Sequence, residues 1–195
     1  MKYLIFIICS ITLIRCNIAS KEKEYKFYEI GWTIKVPLYF DIIDSMQAKE
    51  EDVEGKGIIE KNTVNVKFTN TSKRLLYFRK GNANELSCTI RHYDTIKEGS
   101  YAEHIQLVRN TLYNAFKQAL EANATIDTSS SKEKIDNIRF DRFQIKIIRS
   151  SAKDLTSYFY SRSISGYSVA IVVSYENEKI GEKILSVLNS SKFVQ

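Results

Sequence analysis

The sequence predicts an α+β domain in which helices pack on the faces of an antiparallel β-sheet. Short stretches that alternate apolar and polar residues occur in pairs around turn residues, which is typical of β-hairpins. These pairs are separated by segments with helical periodicity. The 195 residues include twelve Tyr and ten Phe, and 44% of the chain is hydrophobic, which indicates one folded domain with a sizeable core.

The first elements follow from local patterns. Tyr25–Ile30 and Trp32–Val36 are predicted strands joined at Gly31. Pro37 is expected to end the second strand, because proline has no N–H for a ladder hydrogen bond. Residues 44–53 are predicted to form a helix that begins at an aspartate cap.

The clearest hairpin joins Lys73–Lys80 to Glu85–Asp94. Its turn, residues 81–84, contains Gly and two Asn, which tolerate positive φ. Cys88 falls on the apolar face of the second arm, so we expect a buried and unreactive thiol.

A long helix is predicted from a capping box, Ser100 to Glu103, as far as about Ala122. Helically spaced apolar residues predict one buried stripe along it. The stripe contains Ile105, Val108, Leu112, Phe116, Ala119 and Leu120. The polar segment Ala124–Lys134 that follows is predicted to be a loop.

The remaining pattern predicts three more strands and a closing helix. The strands are Ile138–Arg149, Leu155–Ser163 and Tyr167–Glu176, and the last two form a hairpin around residues 164–166. The helix Glu178–Leu188 ends the series. The predicted order is therefore β-β-α, β-β-α, β-β-β-α.

Several stretches resemble the PsbP-like fold, an α-β-α sandwich found in the PsbP extrinsic subunit of photosystem II and in a Ran-binding nuclear-import protein. The stretches are Trp32–Pro37, Leu75–Gly81, Leu86–Asp94, Ile184–Leu188 and Lys192-Phe193, and the resemblance covers most of residues 25–195. It implies a binding or assembly module more than an enzyme. No residue matches a metal or Ran-contact motif of that family, so none is transferred.

The beginning of the chain predicts where in the cell the protein is located. Lys2 precedes the apolar run Leu4–Ile14, which is too short for a stable membrane span and is typical of a secretory signal peptide. Leu13-Ile14-Arg15-Cys16 resembles the lipobox of bacterial lipoproteins, although Arg15 stands where that family has Gly, Ala or Ser. In that family the peptide is cut before the cysteine, whose thiol is then diacylated.

The lipobox resemblance implies a signal peptide over residues 1–15, a lipidated tether over 16–24 with the lipid on Cys16, and the domain over 25–195. Two acyl chains suffice for lasting attachment to a bilayer, whereas one holds only marginally. Cleavage would remove Cys9 and acylation would consume Cys16, which leaves Cys88 without a disulfide partner. The alternative is an ordinary signal peptide cut after Ala19, which would give a secreted protein.

Charge does not indicate a nucleic-acid or lipid surface. The formal net charge is +6, and it becomes +4 when Lys2 and Arg15 leave with the signal peptide. Basic and acidic residues alternate along the chain, which favours a solvated mixed surface over attraction to anionic lipid. Aromatic-basic runs such as residues 158–162 divide between the two faces of a strand, so we expect no nucleic-acid partner.

No familiar catalytic motif is present: the chain lacks a Gly-rich phosphate loop, a nucleophile elbow, Cys-x-x-Cys and His-Glu-x-x-His. His92, Asp94 and His104 could converge on a metal, but two ordinary histidines at element ends are the favoured interpretation, so no cofactor or metal is predicted. The predicted function is a membrane-tethered, non-catalytic envelope protein that binds an unknown protein or ligand. An envelope hydrolase with an unrecognised site is the alternative.

Overall fold

The computed structural model describes residues 21–44, 47, 72–120 and 123–194. The predicted signal peptide, Cys9, Cys16 and most of the helix predicted over residues 44–53 lie outside them. Asp44 is described, and its carboxylate accepts a hydrogen bond from the backbone N–H of Gln47 at 2.9 Å, as the predicted helix cap requires. Within the described residues, no helix has the length and apolar character needed to cross a bilayer.

Ten strands and three helices occur in the described part of the chain. In order they are β1 (Glu22–Phe27), β2 (Trp32–Pro37), β3 (Asp41–Ile42), β4 (Lys73–Arg79), β5 (Glu85–His92), α1 (Thr95–Glu98), α2 (Tyr101–Gln118), β6 (Thr125–Ile135), β7 (Ile138–Ile148), β8 (Leu155–Ile164), β9 (Tyr167–Tyr175), α3 (Glu178–Asn189) and β10 (Lys192–Phe193). The predicted α+β class, with antiparallel sheets and helices on their faces, is confirmed.

The strands of the described residues form two antiparallel sheets. The large sheet has seven strands in the order β3-β4-β5-β9-β8-β7-β6, and the small sheet has the order β1-β2-β10. Registers in the large sheet place Leu86 opposite Val173 and Tyr160 opposite Ile171, so these side chains share one face. That face meets α3 and the small sheet, and the hydrophobic core lies between them.

Trp32 is the centre of the small sheet's contribution to this core. Its ring is fully buried and stacks on Phe27 and Phe193, with centroid distances of 5.3 and 6.1 Å. Its indole N–H donates to the hydroxyl of Ser191 at 2.9 Å. A buried indole therefore has both the packing and the hydrogen-bond partner that it needs.

Helix α2 lies on the opposite face of the large sheet. The Tyr101 hydroxyl is 3.4 Å from that of Ser168, and the Phe116 and Phe159 rings are 6.1 Å apart. The predicted capping box is confirmed, since the Ser100 hydroxyl accepts from the Glu103 N–H while the Glu103 carboxylate accepts from the Ser100 N–H. The helix ends at Gln118, before the predicted Ala122.

The predicted buried stripe of α2 is wrong for most of its length. Among the six residues of the predicted stripe only Ile105 is buried and Ala119 is exposed, while Val108, Leu112, Phe116 and Leu120 are half-buried. The sheet face toward α2 mixes small and polar residues with a few apolar ones, such as Phe143 and Ile145, which are buried outside the main core.

The predicted loop Ala124–Lys134 is also wrong, because Thr125–Ile135 forms strand β6. Every residue of β6 pairs with β7, but β6 lies at the edge of the sheet and most of its side chains are exposed. An edge strand exposed on both faces needs no apolar alternation, and its lysines are typical of protected edges.

Strand β1 begins earlier than the predicted domain boundary at Tyr25. Glu22 already pairs with Pro37, and the Leu38 N–H donates to the Lys21 carbonyl at 2.8 Å. Residues 22–24 therefore belong to the small sheet and not to a free tether.

Candidate binding cleft

A cleft of about 530 Å³ opens at one end of the molecule, where three chain reversals meet. The reversals join β1 to β2, β6 to β7 and β8 to β9, and the residue after β10 completes the wall. We call this cavity the turn cleft. Its lining residues are Ile30, Asn137, Ile138, Arg139, Arg162, Ser163, Ile164, Ser165 and Val194.

Tight turns bring these residues together. Ser165 and Gly166 both have positive φ, 50° and 77°, as a two-residue hairpin turn of type I′ requires. Asp136, in the β6–β7 turn, has φ 54°. Gly31 has φ 62°, and a Cβ at that position would lie 2.0 Å from the Val194 carbonyl oxygen, so only glycine permits this approach.

Asp136 joins the β6–β7 turn to the segment that follows α3. Its carboxylate accepts hydrogen bonds from the Phe193 N–H and the Lys192 ammonium, both at 3.1 Å. The Phe193 N–H and then Lys192 hold the pKa of Asp136 below its usual value. On the other side, the Val194 N–H donates to the Gly31 carbonyl at 2.8 Å. The cleft wall is therefore held by hydrogen bonds on both sides.

The cleft has an apolar floor and an apolar rim. Ile30 and Ile138 are 2% and 7% exposed, and Ile164 packs against the core. At the rim, Val194 is 74% exposed. Tyr28, two residues before Ile30 in the β1–β2 turn, is 86% exposed. Exposed apolar groups beside a concave surface are typical of a binding site.

The positive charge of the cleft is uncompensated among the described residues. Neither Arg139 nor Arg162 has an ion pair or a side-chain hydrogen bond in that part of the chain, and both side chains are exposed. The carboxylate of the neighbouring Asp136 is already engaged by Lys192. The turn cleft can therefore attract an anion.

The structure does not bring His92, Asp94 and His104 together as metal ligands. The His92 ring packs on Tyr167 with a centroid distance of 4.3 Å, and the Asp94 carboxylate caps α1 by accepting from the Ile96 N–H at 3.0 Å. No group of three His, Cys, Asp or Glu residues in the described ranges could hold a metal ion.

His104 belongs instead to a charged corner at the start of α2. Its Nε2 lies 3.2 Å from an Nη of Arg91, whose guanidinium also pairs with Glu98 at 2.5 Å. Burial, and then the charge of Arg91, lower the pKa of His104, so the ring is neutral and accepts a hydrogen bond. Neither histidine lines the turn cleft. The envelope hydrolase stays an untested alternative.

Two further sequence predictions are confirmed. Cys88 is fully buried, and burial raises the pKa of its thiol, which makes it a poor nucleophile. Tyr158 and Tyr160 share the core-facing side of β8, whereas Phe159 faces α2, so this aromatic run does divide between the two faces. The turn cleft itself was not predicted; Arg162, with no acidic residue near it in sequence, was the one local indication.

Comparison with one solved structure supports the fold. The chain is similar to the solution structure of cyanobacterial PsbP (CyanoP) from Synechocystis, with a TM-score of 0.52 and 10% identity over 90% of this chain and 94% of that one. A crystal structure from Bacteroides thetaiotaomicron is similar over 89% of this chain and 48% of that one, with 7% identity and a TM-score of 0.47. No family model and no curated protein matches the sequence. The likeness to CyanoP shows a PsbP-like α+β fold and nothing of function.

Proposed function

We propose that this protein is a lipid-anchored, non-catalytic binding module of the bacterial envelope, and that the turn cleft is its binding site. The observation that carries the binding role is the cleft itself, in which two unpaired arginines adjoin an apolar floor and an exposed apolar rim. The observation that carries the anchor is Cys16 at the end of the apolar leader. The PsbP-like fold is compatible with this role.

The early start of β1 shortens the proposed tether. Five residues, 17–21, separate Cys16 from Glu22. A fully extended chain of five residues spans at most about 18 Å. The domain would therefore stay close to the bilayer surface, with only a short connection to its lipid.

The turn cleft would face away from the anchor. Lys21 is at one end of β1, and the β1–β2 turn that contributes Ile30 is at the other. Six residues of strand place these ends about 20 Å apart. The cleft would then meet its ligand in the aqueous compartment more readily than in the anchoring membrane.

The anchor is tested by labelling cells with a palmitate analogue. We expect Cys16→Ser to abolish the label and to move the protein from the membrane fraction to the soluble fraction, because serine has no thiol to carry the lipid. Cys9→Ser is the matched control, since it alters a cysteine of the removed leader. The anchor is wrong if Cys16→Ser keeps the label, or if the mature protein begins after Ala19.

The binding role is tested by photo-crosslinking in intact cells. A photoreactive residue at Tyr28, an exposed position two residues before the cleft-lining Ile30, should capture a discrete partner. The same residue at Lys179, an exposed position of α3 outside the cleft lining, should not. Equal capture from both positions, or none from Tyr28, would contradict a binding site at this end of the molecule.

A further inference from the structure

We infer that the turn cleft binds an amphipathic organic anion, with one carboxylate or phosphate group on Arg162 and an aliphatic body on the apolar floor. This inference rests on the proposed binding role of the cleft and adds the chemical class of the ligand.

The distribution of arginine partners supports the anionic group. Eight arginines lie in the described residues, and six of them make an ion pair, a ring contact or another electrostatic contact there: Arg74, Arg79, Arg91, Arg109, Arg142 and Arg149. The two that do not, Arg139 and Arg162, both line the turn cleft. A guanidinium binds a carboxylate or phosphate through two parallel hydrogen bonds, which suits a free arginine in a concave site.

Strand register distinguishes the two arginines. Arg162 lies opposite Val169, so it shares the core-facing side of the large sheet with Tyr160. Arg139 lies opposite Lys134 on the other side of the sheet. Arg162 is therefore assigned the direct contact, and Arg139 contributes positive potential from the end of β7.

The uncharged lining completes the site. Asn137, Ser163 and Ser165 supply neutral hydrogen-bonding groups, while Ile30, Ile138, Ile164 and Val194 supply aliphatic surface. A volume of about 530 Å³ falls within the usual range for small-molecule sites. Charge without an apolar body would leave the aliphatic floor unused, and an apolar body without charge would leave Arg162 unpaired.

The test uses the mature protein purified from membranes, in nanodiscs of phosphatidylcholine, a lipid without net charge. Isothermal titration calorimetry would compare hexanoate, hexanol and inorganic phosphate, with empty nanodiscs as the blank. We expect saturable hexanoate binding, and binding at least tenfold weaker for hexanol, which lacks the charge, and for phosphate, which lacks the aliphatic body.

Two variants locate the site. Arg162→Gln should weaken hexanoate binding at least tenfold, whereas Lys179→Gln, the same loss of charge outside the cleft, should change it less than twofold. Val194→Ser should weaken the binding of hexanoate severalfold without changing the response to phosphate. Because the Val194 side chain is 74% exposed, this substitution should leave the protein folded. Thermal melting of each variant would confirm that it is folded.

The outcomes separate this inference from the proposed function. Absence of hexanoate binding, or binding that Arg162→Gln leaves unchanged, would overturn the ligand class even if Tyr28 still captures a partner in cells. Competition by vesicles of phosphatidylglycerol would support the same chemistry with a lipid as its source, and competition by soluble hexyl phosphate alone would support a free ligand.

Discussion

The two faces of the large sheet are built from the same strands, but they are covered differently. On the face toward α3, β5 and β9 present Leu86, Cys88, Ile171 and Val173, all fully buried. On the face toward α2, the alternate residues of the same strands include Ser87, Thr89, Ser168 and Ser174. One face holds the main apolar core. The other holds a smaller contact, in which the buried residues Phe143 and Ile145 of β7 lie among small and polar side chains.

The helices follow the same division. Helix α3 buries four of its residues, whereas α2, which is longer, buries only Ile105 and leaves Leu107 64% exposed. An amphipathic pattern therefore establishes that a helix has an apolar side, but the surface beneath it decides how much of that side is buried. The following predictions test this difference, from the largest expected effect to the smallest.

The largest difference is expected between matched truncations on the two helices. Ile184→Ala on α3 removes a fully buried side chain and should lower the free energy of unfolding by about 2–5 kcal/mol. Leu112→Ala on α2 removes a half-buried side chain and should cost about 1 kcal/mol. Urea denaturation measures both. Equal losses in the free energy of unfolding would show that the two faces of the large sheet contribute equally to stability.

Close packing of α3 predicts that a helix-favouring change will destabilise the protein. A Cβ at Gly181 would lie 2.5 Å from the ring of Tyr175, so Gly181→Ala should cost about 1–3 kcal/mol. Helix propensity alone would instead predict a gain of about 1 kcal/mol. Ser186→Ala, at an exposed position of α3, is the control. A stabilised Gly181→Ala variant would mean that the contact relaxes easily.

The capping box should matter locally on the face toward α2. Ser100→Ala removes the hydroxyl that accepts from the Glu103 N–H and should cost about 1 kcal/mol. Because α2 is weakly buried, we expect this loss of stability to stay local. Amide hydrogens in the first turn of α2 should exchange faster, with little change in β9. Uniformly faster exchange across the domain would indicate that α2 is fully coupled to the core.

The smallest effect concerns pH. The pKa of His104 is lowered in the folded protein, so the unfolded state binds more protons once the pH falls below the ordinary histidine pKa of 6.5. Stability should therefore be intact above that pH and should decrease as the pH falls through the window between the unfolded and folded pKa values. The expected change in Tm is at most about 2 °C, given the partial exposure of the ring. His104→Gln should remove this slope, whereas His92→Gln should keep it.

Much of the fold could be predicted because most elements carry their own local pattern. The β4–β5 and β8–β9 hairpins, the Ser100 cap and helix α3 all arise from residues close together in sequence. Strand β6 could not be predicted in this way, because its pairing with β7 and not its own composition makes it a strand. Local patterns identify elements that bury a face, and they miss elements that do not.

The turn cleft could not be predicted for a different reason. Its lining comes from residues 30, 137–139, 162–165 and 194, which are separated by up to 164 positions. Long-range hydrogen bonds, such as Phe193 N–H to Asp136 and Val194 N–H to Gly31, bring these segments together. No spacing of residues in the sequence indicates that these distant segments come together.

The contacts of Trp32 also set an order of events during synthesis. Its indole bonds to Ser191, 159 residues later in the chain, and stacks on Phe193. Phe27 can stack on this ring early, but Ser191 and Phe193 complete its surroundings only when nearly the entire domain has been made. Until then part of an aromatic ring at the centre of the future core stays uncovered, and exposed apolar surface of this kind favours aggregation of the incomplete chain.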